Sequence, residues 1–257
     1  MAAGVSLTAL EAVTIALAGV LAGAINAVLG SGTLVTFPVL IACGYSPVVA
    51  NVSNNIGLVP GTIGGVVGYR RELAGQGARA RTLALGSASG AALGGTLLLT
   101  LPSKVFDSVV PVLVVLACAL LAFQPRLIRV VAERRRAGAN DVGFTAVAVT
   151  FVAGIYGGYF GAAQGIILVA VLGALVPDAI TRTTALKNVL VGVNNGVAAL
   201  LFLLFADVAW EVVVLIGAGS AVGAVVGSSV GRRVPARVLR PVFVVFGLSV
   251  AAYLVAR

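Results

Sequence analysis

The sequence predicts an all-α integral membrane protein of about eight long transmembrane helices plus two short broken-helix segments, arranged as two pseudo-symmetric, inverted repeats. Three observations predict it. Of 257 residues, 60% are hydrophobic and 10% charged, with mean hydropathy +1.13, whereas soluble domains carry about 25% charged residues. The 17 basic and 8 acidic side chains cannot coat a soluble body of this size, so lipid supplies the coat. Thirteen of the 17 basic residues fall in three short clusters, Arg70–Arg81, Arg126–Arg136 and Arg232–Arg240, each wedged between apolar runs. The chain also repeats itself weakly at a spacing of about 132 residues.

Windows of about 20 apolar residues place long spans near 6–27, 47–69, 82–101, 105–123, 143–160, 180–205, 211–230 and 238–256. The first lacks the basic leader of a signal peptide and reads as a span. Two apolar pieces of half that length remain, near 32–43 and 164–176, beside glycine-rich stretches. The small-residue stripes Gly86–Gly95 and Gly217–Gly231 read as close helix packing. The whole chain forms one transmembrane domain, with 1–123 as first repeat, 124–141 as a basic cytoplasmic linker and 142–257 as second repeat.

Charge placement relates the halves. If only the eight long spans cross, Arg232–Arg240 falls opposite the other two clusters, against the positive-inside rule. If each short piece also carries the chain across, all three clusters share one face and Asp107, Asp207 and Glu211 lie near the other. Five crossings per half is an odd number, which makes the repeats inverted. The multi-pass chain sits in the cell membrane, and its basic loops meet lipid headgroups rather than nucleic acid.

A helix that starts in mid-membrane leaves its first N–H groups unpaired, and hydrocarbon offers no water to satisfy them. Such an end favours an anion. The breaks at Ser31, Gly32 and Thr33 and at Ala163, Gln164 and Gly165 are therefore candidate binding positions. Lys187 lies well inside the sixth long span, where a charge costs roughly 3 kcal/mol. Thr183, Thr184 and Asn188 lie near it, and Asn54 and Asn55 hold the matching place in the first half. Two alternatives stand beside this reading: Lys187 snorkels to the interface, and the amides serve interhelical hydrogen bonding. The chain has no histidine and two cysteines in unrelated apolar contexts, Cys43 and Cys118, and its carboxylates fall at span ends or in loops. Catalytic residues, a metal site and a cofactor are thus not expected. A membrane-embedded enzyme and a passive anion channel are the rival classes.

The breaks LGSGTLVTFPVL and FGAAQGIILVAVL, followed by ANVSNN and TTALKNVLVGVNNGVAA, resemble the duplicated signature of the TauE/SafE family of sulfite and organosulfur exporters. The resemblance covers nearly the whole chain. It implies a permease for a small sulfur-containing anion such as sulfite, a sulfonate or sulfoacetate, and leaves a homodimer open. In the first half proline follows the break as Pro38; the second half has Ala170 there, so its break is expected to be less sharp.

Overall fold

The computed structural model describes residues 7–133, 143–176 and 178–230, together with 244, 245, 248, 249, 251, 252 and 254. These residues form α1 (Ala9–Val28), α2 (Thr33–Ala42), α3 (Pro47–Gly68), α4 (Gly77–Thr100), α5 (Ser103–Glu133), α6 (Phe144–Tyr159), α7 (Gln164–Leu175), α8 (Ile180–Phe205) and α9 (Trp210–Val230). Five of the nine, α1, α4, α5, α8 and α9, are long and apolar enough to cross a membrane. The expected count of eight long spans is therefore met only in part. α3 has the length, but Asn51, Ser53, Asn54 and Asn55 lower its hydropathy. α6 has 16 residues. The span expected at 238–256 and the cluster Arg232–Arg240 lie largely outside the described residues. α5 stays helical to Glu133, well into the segment expected to be a linker from 124.

The outer surface is as apolar as the interior, unlike that of a water-soluble protein. Leu85, Leu204, Phe205 and Phe144 are exposed, while Asn51, Asn54, Thr183, Lys187, Asn188 and Asn194 are buried. Lipid solvates the first set, and the second must find partners inside.

Glycines set the packing and fix the helix directions. A Cβ on Gly19 or Gly23 would run into the backbone of Ile216 or Ser220, so α1 and α9 touch backbone to backbone and run parallel. Gly57, Gly61, Gly64 and Gly68 of α3 meet Ile216, Ser220, Ala224 and Ser228 in the same sense. Gly86, Gly90 and Gly94 of α4 meet Val147, Phe151 and Ile155 of α6, again in parallel. Both stripes expected to be packing surfaces are packing surfaces. α8 runs antiparallel to α3, with Gly65 beside Asn188 and Gly192 beside Thr62.

Two groups of helices result, and each borrows from the other half of the chain. α9 packs with α1 and α3, while α4 packs with α6 and α8. α2 lies on α1 and α3, and α7 on α5, α6 and α8. Arg70, Arg71, Arg79 and Arg81 gather where α3 ends and α4 and α8 begin. Glu211 lies at the opposite end, where the Tyr45 hydroxyl donates to it. At the arginine end Asp178 pairs with Arg79 at 3.2 Å and Arg182 at 2.7 Å. Partial burial pushes its carboxyl up, but hydrogen bonds from Arg182, the Ala179 amide and Arg79 outweigh that and hold it below the usual carboxylate range. The tie thus persists at neutral pH and loosens only as pH falls through that lowered value.

Candidate functional site

The two breaks are built alike. α1 ends at Val28, and two residues later Gly30 takes a left-handed φ of 78° whose N–H returns to Ile25 and Asn26 carbonyls. α6 ends at Tyr159, and two residues later Gly161, φ 79°, returns its N–H to Tyr156. A side chain at either position would be strained, so the glycines make the turn. α2 then starts at Thr33 and α7 at Gln164, as the sequence predicts. The expectation of a softer second break is corrected. It has a second left-handed residue, Ala163 at φ 63°, whereas Pro38 lies inside α2 and takes no part in the turn.

The breaks touch one another. The Gly165 N–H donates to the Gly30 carbonyl at 3.1 Å, and a Cβ on Gly165 would lie 2.5 Å from Gly30 Cα and 2.9 Å from Lys187 Cδ. Only a pair of glycines permits this approach. Phe37 and Phe160 meet edge to face beside it, with ring centroids 5.2 Å apart.

Lys187 is fully buried, and its Nζ donates to the Asn26 carbonyl at 2.8 Å and to that of Ala27 at 3.4 Å. The snorkelling alternative is thereby excluded. The ammonium sits on the C-terminal carbonyls of broken α1, the negative end of its dipole. Asn188 adds Nδ2 to Ala27 O at 3.2 Å and Gly65 O at 3.4 Å.

The other predicted positions divide into satisfied and unsatisfied groups. Thr183 and Thr184 donate back to Ala179 and Ile180 on their own helix. Asn54 holds the start of α2, its Nδ2 donating to Thr33 Oγ1 at 3.2 Å and its Oδ1 accepting from Thr36. By contrast Ser31 Oγ, Asn55 Oδ1 and both polar atoms of Gln164 are buried without a partner. The N–H groups of Ser31, Gly32 and Thr33 also find no protein acceptor among the described residues. The amides of Ser31, Gly32 and Thr33 and the Ser31 hydroxyl lie at the start of α2, directly after Gly30 and its contact with Gly165, while the Gln164 carboxamide lies against Gly157. The Gly165 amide is spent on Gly30, so it is not a free donor while the breaks touch.

Sequence reasoning missed Gly30 and Gly161 as the turn residues and Gly157, against which the Gln164 side chain lies. A glycine two residues past each apolar run, recurring at the repeat spacing, was the available signal. Among the described residues no group of three or more His, Cys, Asp or Glu side chains could hold a metal ion, and Cys43 and Cys118 are free.

The chain matches the family described as "Sulfite exporter TauE/SafE" over residues 15–254. It is similar to the "Probable membrane transporter protein ORF9" of Sinorhizobium sp, with 27% identity over 239 residues, 93% of this chain and 90% of that protein. It is similar also to the "Probable membrane transporter protein YfcA" of Escherichia coli strain K12, with 28% identity over 91% of this chain and 86% of that protein. A "Probable membrane transporter protein" of Haemophilus influenzae is 25% identical over 92% and 91% of the two chains. No solved structure matches.

Proposed function

The chain belongs to the sulfite exporter TauE/SafE family of multi-pass membrane transporters, and on that footing we propose that it is a secondary transporter, not an enzyme, that moves a small sulfur-containing anion, such as sulfite, a sulfonate or sulfoacetate, between its two helix breaks. The observation that carries this reading is the meeting of the breaks at Gly30 and Gly165 beside uncapped amides and the orphaned Ser31 hydroxyl. The amides of Ser31, Gly32 and Thr33 supply hydrogen bonds and the positive end of α2. The Gln164 carboxamide adds a donor, and Lys187 supplies charge from the opposite helix group. Asn54, Asn55, Thr183, Thr184 and Asn188 brace or line the site, and Ala163 and Gly165 become accessible once the helix groups part.

The inverted-repeat arrangement is part of the proposal. Chain directions support it: α1, α3 and α9 run one way, and α8 returns the other way. α2 heads back to the end where α1 began, and α7 to the end from which α8 starts. A cavity of about 650 Å³ at the arginine end is lined by Gly64, Arg70, Arg71, Glu72, Ser228 and Ser229, two cations against one carboxylate, which favours an anion approaching from that side.

In a background with Cys43 and Cys118 replaced, a cysteine at Gly77 is expected to react with an impermeant thiol reagent from the cytoplasmic side. One at Ala206 should react from the opposite side, and one at Ala236 should side with Gly77. Labelling of 236 together with 206 would sink the inverted-repeat reading. Function itself is tested by uptake of radiolabelled sulfite and sulfoacetate into proteoliposomes. Saturable uptake with counterflow is expected; uptake that rises linearly without counterflow would make the protein a passive channel, and none above protein-free vesicles would remove the reading.

A further inference from the structure

The two breaks share one backbone design but differ in charge. Asn26 and Ala27 stand third and second from the end of α1; Gly157 and Gly158 stand third and second from the end of α6. At the first break the carbonyls of Asn26 and Ala27 receive the Lys187 ammonium and the Asn188 amide. At the second, Gly161 N–H goes to Tyr156, and no hydrogen bond among the described residues reaches the carbonyls of Gly157 or Gly158. Lys187 is the eighth residue of α8, and the eighth residue of α3 is the neutral Asn54, turned toward α2. A broken helix thus presents its negative end in the interior with no built-in cation.

Orphaned oxygens lie at that end, on Gln164 and Asn51, and one turn along α3 from Asn51. The Gln164 carboxamide lies within 2.3 to 2.5 Å of where a Cβ on Gly157 would be, and its Oε1 is buried without a partner. Asn51 donates Nδ2 to Tyr159 O at 3.0 Å, which fixes its amide orientation and leaves Oδ1 unpartnered. Asn55, one turn further along α3, also has an unpartnered Oδ1. Its counterpart in α8 is Asn188, which binds the carbonyl of Ala27. All three side chains are more than nine-tenths buried.

From this juxtaposition we infer that the second break is a site for a monovalent alkali cation such as sodium, ligated by the carbonyls of Gly157 and Gly158 and the side-chain oxygens of Gln164, Asn55 and Asn51. Every ligand is a neutral oxygen. Calcium and magnesium sites draw on carboxylates, and none is present here, so the set suits a single positive charge. The bound ion does for α6 what the Lys187 ammonium does for α1. Half-helix carbonyl ends are where a transporter seats a coupling ion. The inference rests on the transport reading only for that coupling role; ion binding does not depend on it. Gln164 would link the two, with Oε1 toward the cation and Nε2 toward the anion.

Thermal unfolding of the purified protein in detergent, with no sulfur anion present, tests it. At equal ionic strength, replacing choline chloride by sodium or potassium chloride should raise Tm saturably by about 3 °C or more for one of the two ions. Gln164→Leu and Asn55→Leu should each remove most of that shift, while Ser89→Ala on the exposed face of α4 keeps it. Equilibrium binding of radiolabelled sodium, competed by unlabelled sodium and potassium, measures the same site on the wild-type protein, whatever the fold of the variants. Absence of both an alkali-dependent shift and alkali-competed binding would overturn the inference, as would a full shift in Gln164→Leu. Wild-type uptake of sulfite or sulfoacetate that proceeds in choline medium would leave the transport reading standing and remove the coupling role. An alkali shift in a protein that moves no sulfur anion would do the reverse, keeping the site and removing the transport reading.

Discussion

Lys187→Met should weaken binding of the transported anion by about tenfold or more, about 1.4 kcal/mol, per folded molecule. The substitution keeps the apolar stem that lies against Gly165 and removes the one formal cation found at the breaks. A helix terminus contributes about half an elementary charge, so the start of α2 orients an anion, while a full charge in a low-dielectric interior adds much more to its capture. The same change strips one donor from the carbonyls of Asn26 and Ala27, which keep the Gly30 N–H and the Asn188 amide, so a loss of about 1 kcal/mol in folded stability accompanies it. Normalising binding to folded protein separates the two effects. Lys187→Arg should recover part of the affinity but not all of the fit. Its planar fork cannot repeat a point contact with two successive carbonyls, and it favours bidentate oxyanions. Lys104→Met, at an exposed position near the start of α5, is the control. Equal affinity in Lys187→Met and the control would reduce Lys187 to a clamp on α1.

The positions of the half-helices were legible because they depend on local chemistry. Apolar pieces near 32–43 and 164–176, flanked by glycine and cut off from full span length, correspond to α2 at Thr33–Ala42 and α7 at Gln164–Leu175. Burial of Lys187 was legible for a related reason: a charge that deep in an oily run has few places to go. What it touches was not. The hydrogen bond to Asn26 spans 161 positions and depends on α8 crossing the end of α1, which no periodicity encodes. The exchange of α4 and α9 between halves was equally hidden, since Gly90 and Gly223 look the same in sequence whichever backbone they press against. Break sharpness was misjudged through attention to proline. Pro38 removes one N–H within α2, but the reversal of direction is made by φ, and only Gly30 and Gly161 reveal that.

Gly165→Val should abolish transport while leaving the protein inserted in the membrane. Its Cβ would fall 2.5 Å from Gly30 Cα, 2.9 Å from Gly30 O and 2.9 Å from Lys187 Cδ. Two of those three neighbours are backbone, so the clash cannot be relieved by a rotamer change, and the breaks must separate. That separation costs the 3.1 Å bond from Gly165 N–H to Gly30 O and draws the Lys187 stem away from the carbonyls it serves. The rest of the packing does not run through this point, since α1, α3 and α9 hold together along their glycine faces, as do α4, α6 and α8. A crowded Gly223 is the instructive contrast. A Cβ there would lie 1.9 Å from the Val20 carbonyl within the α1–α9 seam, so Gly223→Val should lower folded yield, in keeping with overpacking costs of about 1–3 kcal/mol or more. Surviving Gly223→Val molecules should still carry substrate at near wild-type rates, whereas folded Gly165→Val molecules should not. Proteoliposome uptake divided by the amount of monodisperse protein reconstituted measures this directly. Comparable losses per folded molecule in the two variants would mean that the contact between the breaks is ordinary packing and that the anion passes elsewhere.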